Sequence, residues 1–198
     1  MMVIGLTGPT GAGKTAVCRV LADWDGISVV DCDQVARKVV GKGKRCLLDL
    51  AVEFSPVIIS ADGTLNRRRL AQIVFTDREK LKRLNAIVFP HILEEIEEEL
   101  AAARWRGDRA AVLDAPTLFE SGADRLCDTI VVVTASPGIR QFRIMNRDGL
   151  SPEEAQNRMN SQQDEAFYVG RADHILRNDE DSAALRLQVL ELMNRLGL

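Results

Sequence analysis

The spacing of apolar residues changes along the chain, and each change predicts an element. Met2 to Leu6 is a short apolar run closed by Thr7 and Gly8, which reads as a buried strand. From Thr15 to Asp23, Ala16, Val17, Val20 and Leu21 recur at helical spacing. Ile27 to Val30 is a second buried strand, ending at Asp31-Cys32-Asp33. Strand, helix and strand within about thirty residues form a βαβ unit, which predicts a parallel sheet with helices on its faces.

From Gln34 to Arg106 the pattern is almost entirely helical. Ala36, Val39 and Val40 make one stripe, and Leu47, Leu48, Leu50, Val52 and Phe54 another. Ser55-Pro56 breaks the pattern and Asp62-Gly63 marks a turn. Helical spacing resumes through Leu70, Ile73, Val74, Leu81, Leu84, Ile87 and Val88, and Pro90 is expected to end or kink that helix. The glutamates between Glu94 and Glu99 read as a solvated helix face. Ala110 to Leu113 and Thr129 to Val133 are further strands, the latter rich in β-branched residues. Ile139 to Arg147 is a basic helix. Ser151-Pro152-Glu153-Glu154 has the capping serine, first-position proline and early acids of another. His174 to Leu176 is a final short strand, and Ala183 to Leu196 an amphipathic closing helix. With no internal repeat or low-complexity linker, the extra helices are insertions into one α/β core.

Composition narrows the class. At 198 residues with 46% hydrophobic and 28% charged residues, the chain fits one globular domain with insertions. A net charge of −3 argues against a nucleic-acid partner held by bulk charge. Cys18, Cys32, Cys46 and Cys127 form no C-x-x-C pair, and His91 and His174 are poorly spaced for zinc, so reduced structural thiols and a cytoplasmic location are expected. No apolar run approaches the ~20 residues that span a bilayer. The first residues look like a strand rather than a secretory signal. Trp24 and Trp105 are expected to pack, and His91 to be structural.

The segment GPTGAGKT carries the chemistry. Gly8-x-x-x-x-Gly13-Lys14-Thr15 is a P-loop pattern in its required context, strand before and helix after. Gly8, Pro9, Thr10, Gly11, Ala12 and Gly13 form a turn whose N–H groups point at phosphate oxygens. The following helix adds its unpaired N-terminal donors. Lys14 supplies an ammonium for the β- and γ-phosphates, and Thr15 a hydroxyl for Mg²⁺. A nucleoside-triphosphate site follows, though the motif does not choose among kinase, GTPase and motor ATPase.

Other residues narrow that choice. Asp31 and Asp33 end the second strand, where a carboxylate orients an acceptor hydroxyl and takes its proton, or else caps the helix expected at Gln34. Asp114 ends the third strand as a carboxylate for the metal or its waters. Arg140, Arg143 and Arg147 recur near helical spacing, followed by Arg158 and Arg171. Such guanidiniums on a mobile flap would close over the triphosphate, or form a solvated basic face. Arg147 is the strongest of these candidates and Arg140 is expected at the surface. The chain has no N-K-x-D guanine motif, and its large helical insertion after the second strand favours a small-molecule acceptor.

These residues resemble the dephospho-coenzyme A kinase family along nearly the whole chain. The likeness rests on Ile4-Gly5-Leu6-Thr7-Gly8 through Thr15, Asp31-Cys32-Asp33, Asp62-Gly63-Thr64-Leu65-Asn66-Arg67 and Leu113-Asp114-Ala115-Pro116 with Leu118-Phe119-Glu120. It continues in Arg143, Arg147-Asp148, Arg158, Ser161-Gln162, Ala172-Asp173-His174-Ile175 and Asn178. The resemblance implies a P-loop kinase fold with a parallel five-stranded sheet. The nucleotide core would comprise residues 1–33, 107–137 and 174–198, with a helical acceptor domain at 34–106 and a lid at 138–173. It implies transfer of the ATP γ-phosphate, with Mg²⁺, to the ribose 3′-hydroxyl of dephospho-CoA. Asp33 would be the base and Lys14 and Arg147 its catalytic partners. Arg143 and Asn178 would join the nucleotide side. Asp31, Arg67, Asp114, Leu118 and Glu120 would form the acceptor side, as a monomer or weak homo-oligomer without nucleic-acid or membrane partners. Phe89, Thr117 and Ser55 depart from the family pattern, where histidine, leucine and glycine are common. The alternatives are another nucleoside or small-molecule kinase, or a non-catalytic ATP-binding module.

Overall fold

Five short apolar runs form strands: β1 (Met2–Thr7), β2 (Ile27–Asp31), β3 (Ala110–Asp114), β4 (Thr129–Thr134) and β5 (His174–Arg177). Between them lie α1 (Lys14–Ala22), α2 (Cys32–Val39), α3 (Arg45–Phe54), α4 (Arg67–Val74), α5 (Arg78–Arg106) and α6 (Leu118–Ser121), then α7 (Pro137–Asp148), α8 (Pro152–Asn160), α9 (Glu165–Val169) and α10 (Ser182–Arg195). The computed structural model describes residues 1–198. They divide into two compact units, residues 1–30 with 102–198, and residues 31–101.

The first unit is built on the parallel sheet, ordered β2-β3-β1-β4-β5. Leu6 of β1 stands opposite Asp114 of β3, and Thr7 opposite Val132 of β4. Chain order reverses at β1, so the crevice beyond its carboxyl end is where α/β sheets of this kind bind ligands. Ile4, Leu6, Val112, Val131 and Val133 share one sheet face and meet Val17 and Leu21 of α1 with Leu185, Val189 and Leu192 of α10. Trp24 packs against this cluster as expected. Alternation along the strands sends Val3, Leu113 and Val132 to the other face. The capping box at Ser151 and Glu154 forms as the sequence predicts.

In the second unit, Cys46, Leu47, Leu50 and Phe54 of α3 supply core positions, with Leu70 and Val74 of α4. Three expectations are corrected. Pro90 does not end α5, which runs for 29 residues from Arg78 to Arg106 with the proline inside it. Beyond the proline, Ile92, Ile96 and Leu100 continue a buried stripe, and that packing outweighs the hydrogen bond proline cannot donate. Glu95 is not part of a solvated face: it is 9% exposed and pairs with Lys38 at 2.5 Å. Burial of a carboxylate is tolerated where a cation compensates it. Trp105 is 90% exposed, because it falls off the stripe that ends in Ala103.

Ser55 occupies the backbone conformation φ 81°, ψ 145°, and is the non-glycine residue with positive φ. That geometry accounts for the glycine common at this position in the family it resembles. The helix expected at Gln34 begins earlier, at Cys32, because Asp31 caps it: Oδ1 accepts from the Gln34 amide at 2.9 Å. None of the four cysteines is in a disulfide. No helix is long and apolar enough to cross a membrane.

Candidate nucleotide site

The loop between β1 and α1 turns back on itself at glycines. Gly8 has φ 140°, and a Cβ there would stand 2.1 Å from the Val133 carbonyl oxygen, so the loop lies directly on β4. The Ala12 amide closes the turn onto Pro9 O at 3.2 Å, and the carbonyls of Gly8, Gly11 and Ala12 need donors of their own. Later segments supply them. Lys14 Nζ donates to Gly8 O at 2.9 Å. Asn178, just beyond β5, donates from Nδ2 to Ala12 O at 2.8 Å. Arg143 of α7 donates from Nη1 to Ala12 O at 3.3 Å and Gly11 O at 3.5 Å, and from Nη2 to Asn178 Oδ1 at 3.3 Å. With its oxygen facing a guanidinium, which only donates, the Asn178 amide has one orientation. Its backbone is pinned too, by a hydrogen bond that its N–H donates to Thr134 O at 2.8 Å.

Helix α1 starts at Lys14 with no capping side chain and no acid in its first turn. Its N-terminal donors and positive dipole end therefore remain available to an anion. Thr15 is exposed in that first turn. Asp114 is half-buried at the end of the neighbouring β3. The hard oxygen donors of Thr15 and Asp114 suit Mg²⁺, which binds through one or two protein groups together with substrate phosphates. The structure holds no cluster of three or more His, Cys, Asp or Glu side chains fit for a metal.

Gln162 meets the loop as well: its Oε1 accepts from the Thr10 amide at 2.7 Å. Its partner is 152 residues away, so sequence spacing offered no signal for this contact. Arg147 is more than half exposed and forms a bidentate pair with Asp148, at 2.9 and 2.8 Å. Arg158 binds the same carboxylate. The Arg147 hydrogen bond, more than the Arg158 charge, holds the Asp148 carboxyl below its ordinary range. Arg171 lies over the Phe167 ring at 4.0 Å, a cation–π contact.

Arg140 overturns its expectation. It is 9% exposed rather than at the surface, because the first turn of α7 lies on the loop: a Cβ on Gly11 would stand 2.7 Å from Arg140 O. Leu118 is fully buried and packs toward Gly5, where an added Cβ would lie 2.9 Å from Leu118 Cδ2. Glu120 is exposed and lines a cavity of about 560 Å³ with Phe119, Phe167 and Arg171. Burial pushes the Cys127 thiol up to about 12. It is therefore a packing group and not a nucleophile.

Asp31, Asp33 and Arg67 belong to the second unit. Asp33 is exposed in the first turn of α2, while Asp31 is engaged in capping it. Arg67 opens α4 and is exposed beside Arg68 and Arg69. The preceding Asp62 accepts from the Thr64 hydroxyl at 2.7 Å and its amide at 3.0 Å, which holds its carboxyl below the usual range. His91 pairs through Nε2 with Asp49 Oδ2 at 3.0 Å, in keeping with a structural role. That pair borders a cavity of about 530 Å³ lined also by Lys44, Glu95 and Glu98.

Comparison with known proteins adds a second line. The family model described as CoaE, dephospho-CoA kinase, matches residues 2–184. A dephospho-CoA kinase of Listeria innocua is 38% identical over 192 residues, covering 97% of this chain and 96% of the relative. One from Saccharomyces cerevisiae is 35% identical over 200 residues, covering 99% and 83%. Among solved structures, TT1252 from Thermus thermophilus aligns with a TM-score of 0.84 at 32% identity, covering 98% and 97% of the two chains. A dephospho-CoA kinase from Campylobacter jejuni aligns at 0.73 and 25%, covering 98% and 96%. A shikimate kinase from Bacteroides thetaiotaomicron, at 0.59 and 17%, shares the fold, covering 100% and 99%.

Proposed function

The chain belongs to the dephospho-CoA kinase family, ATP-using enzymes of coenzyme A biosynthesis, and on that premise we propose how its residues carry the reaction. ATP lies with its phosphates in the Gly8–Thr15 loop. The observation that carries this reading is a loop whose carbonyls are held by Lys14, Arg143 and Asn178, leading into the N-terminus of α1, which has no capping side chain. The N-terminal donors of α1 are in place before the substrate arrives, so little reorganisation is needed during transfer. Arg143 and Asn178 border the nucleotide from behind the loop. Thr15 and Asp114 would hold Mg²⁺, which when bound neutralises charge on the β- and γ-phosphates.

The acceptor is the ribose 3′-hydroxyl of dephospho-CoA. Asp33 takes the proton from that hydroxyl as its oxygen attacks the γ-phosphorus, the bond to the β–γ bridging oxygen breaks, and ADP leaves. Asp33 is the better base of the pair, because both Asp31 oxygens are engaged by Gln34. Lys14 neutralises the phosphates throughout. Arg147 would leave Asp148 for the transferring group as a lid of residues 138–173 closes. Residues 34–106 form the acceptor domain, with Arg67 a cation for the acceptor and Asp31, Asp114, Leu118 and Glu120 bordering it.

A coupled assay with purified protein, ATP and Mg²⁺ tests the reading. ADP formation is expected only when dephospho-CoA is present. Turnover supported by a nucleoside monophosphate and not by dephospho-CoA would remove it.

A further inference from the structure

Arg140 carries a positive charge that the ligand-free protein does not compensate. Its side chain is 9% exposed, and its Nε is buried without a hydrogen-bond partner. The acid nearest in sequence on α7, Asp148, is engaged by Arg147 and Arg158 instead. A buried cation lacking its partner is costly, and folds keep one where something else supplies the anion. The surroundings indicate what that anion is. The Arg140 backbone lies against Gly11 of the phosphate loop. Its charge also reaches Tyr168, 2% exposed, whose hydroxyl is raised first by burial and then by the Glu120 charge, and is lowered by Arg140. Arg140 thus has its backbone on the phosphate loop, while Glu120 acts on the same hydroxyl without forming an ion pair with Arg140.

We propose that Arg140 is a phosphate-binding residue, whose buried guanidinium receives oxygens of a substrate phosphate bound beside the loop. Guanidinium suits the task, because its planar fork matches two phosphate oxygens and it stays protonated when buried. The phosphate belongs either to the ATP triphosphate or to the diphosphate of the acceptor. The inference rests on the reading that Gly8–Thr15 holds ATP, and Lys14→Ala serves as the control for that reading.

The test replaces Arg140 by Met, which keeps bulk and removes charge, and by Lys, which keeps charge and loses the fork. In the ligand-free state, Arg140→Met is expected to melt no lower than wild type, since it removes an unpaired buried charge. The rise in Tm on adding saturating ATP or dephospho-CoA shrinks for whichever ligand Arg140 contacts. Steady-state kinetics then separate the sources. A KM for ATP raised about tenfold or more with the acceptor KM unchanged assigns the triphosphate, and the converse assigns the acceptor diphosphate. A fall in kcat alone assigns the phosphoryl group in transit. Arg140→Lys should recover part of the loss. Should Arg140→Met not fold, Arg140→Lys with unaltered KM values and kcat overturns the proposal. So does a lower ligand-free Tm with unchanged kinetics, which marks Arg140 as purely structural. If Lys14→Ala binds ATP normally, the nucleotide site itself is misassigned. If Lys14→Ala is impaired and Arg140→Met is not, only the Arg140 proposal fails.

Discussion

In the loop after β1, the carbonyls of Gly8, Gly11 and Ala12 accept hydrogen bonds from side chains. In the unit of residues 31–101, many of the polar links are instead ion pairs between well-exposed groups, such as Lys82 with Glu79 and Arg83 with Glu53. Exposed pairs of that kind contribute about 0–1 kcal/mol each and are weakened by salt. What holds the second unit is apolar: Leu47, Leu50, Ile58, Ile96 and Leu100 are each at most 2% exposed. The first region is fixed by hydrogen bonds to its backbone from distant side chains, so its tolerance of change is expected to be small. The second is held from within, by its apolar core.

Breaking the phosphate loop should have the largest effect. Lys14→Ala is expected to lower kcat/KM by about 10²–10³-fold and to weaken nucleotide binding as well, measured by steady-state assay and calorimetric titration. Full activity in that variant would contradict the site. Asp33→Asn should reduce turnover on the order of 10²-fold while ATP affinity stays within about twofold. An equal loss of affinity would move Asp33 from the reaction to ground-state binding.

The apolar core of the second unit should respond in stability and not in chemistry. Ile96→Ala is expected to cost about 2–5 kcal/mol in denaturant unfolding, with kcat per folded molecule retained. Asn178→Asp sharpens the contrast from the other side. A carboxylate keeps the Arg143 contact and cannot donate to Ala12 O, so ATP affinity should fall about tenfold with little change in Tm. Unchanged affinity would show that the loop holds its shape without that donor. The smallest effect is a gain: Ser55→Gly should relieve the positive φ and stabilise by about 1 kcal/mol. A loss of stability there would mean that the serine side chain matters more than its backbone.

Much of the sheet was readable from the chain because its signals are local. β1 through the start of α1 is a continuous stretch in which glycine placement, lysine and flanking strand constrain one another. Asp114 was legible as the residue after a run of buried side chains. Arg140 was not, because helical spacing says which residues share a face and not what that face meets. Glu95 misled for the same reason, since its cations, Lys38 and Lys44, come from elsewhere in the chain. At Pro90 the helix does not end, because a local rule about hydrogen bonding gave way to the apolar stripe on its own helix.

By itself, then, the sequence determined the parallel sheet, the phosphate loop and the family, since strand period, glycine geometry and an ordered series of motifs are properties of short segments. Only the tertiary structure decided which side chains stand behind that loop. Asn178 and Gln162 reach Ala12 and Thr10 across separations of 166 and 152 residues, and a hydrogen bond of that span is set by how the strands and helices pack, not by local sequence.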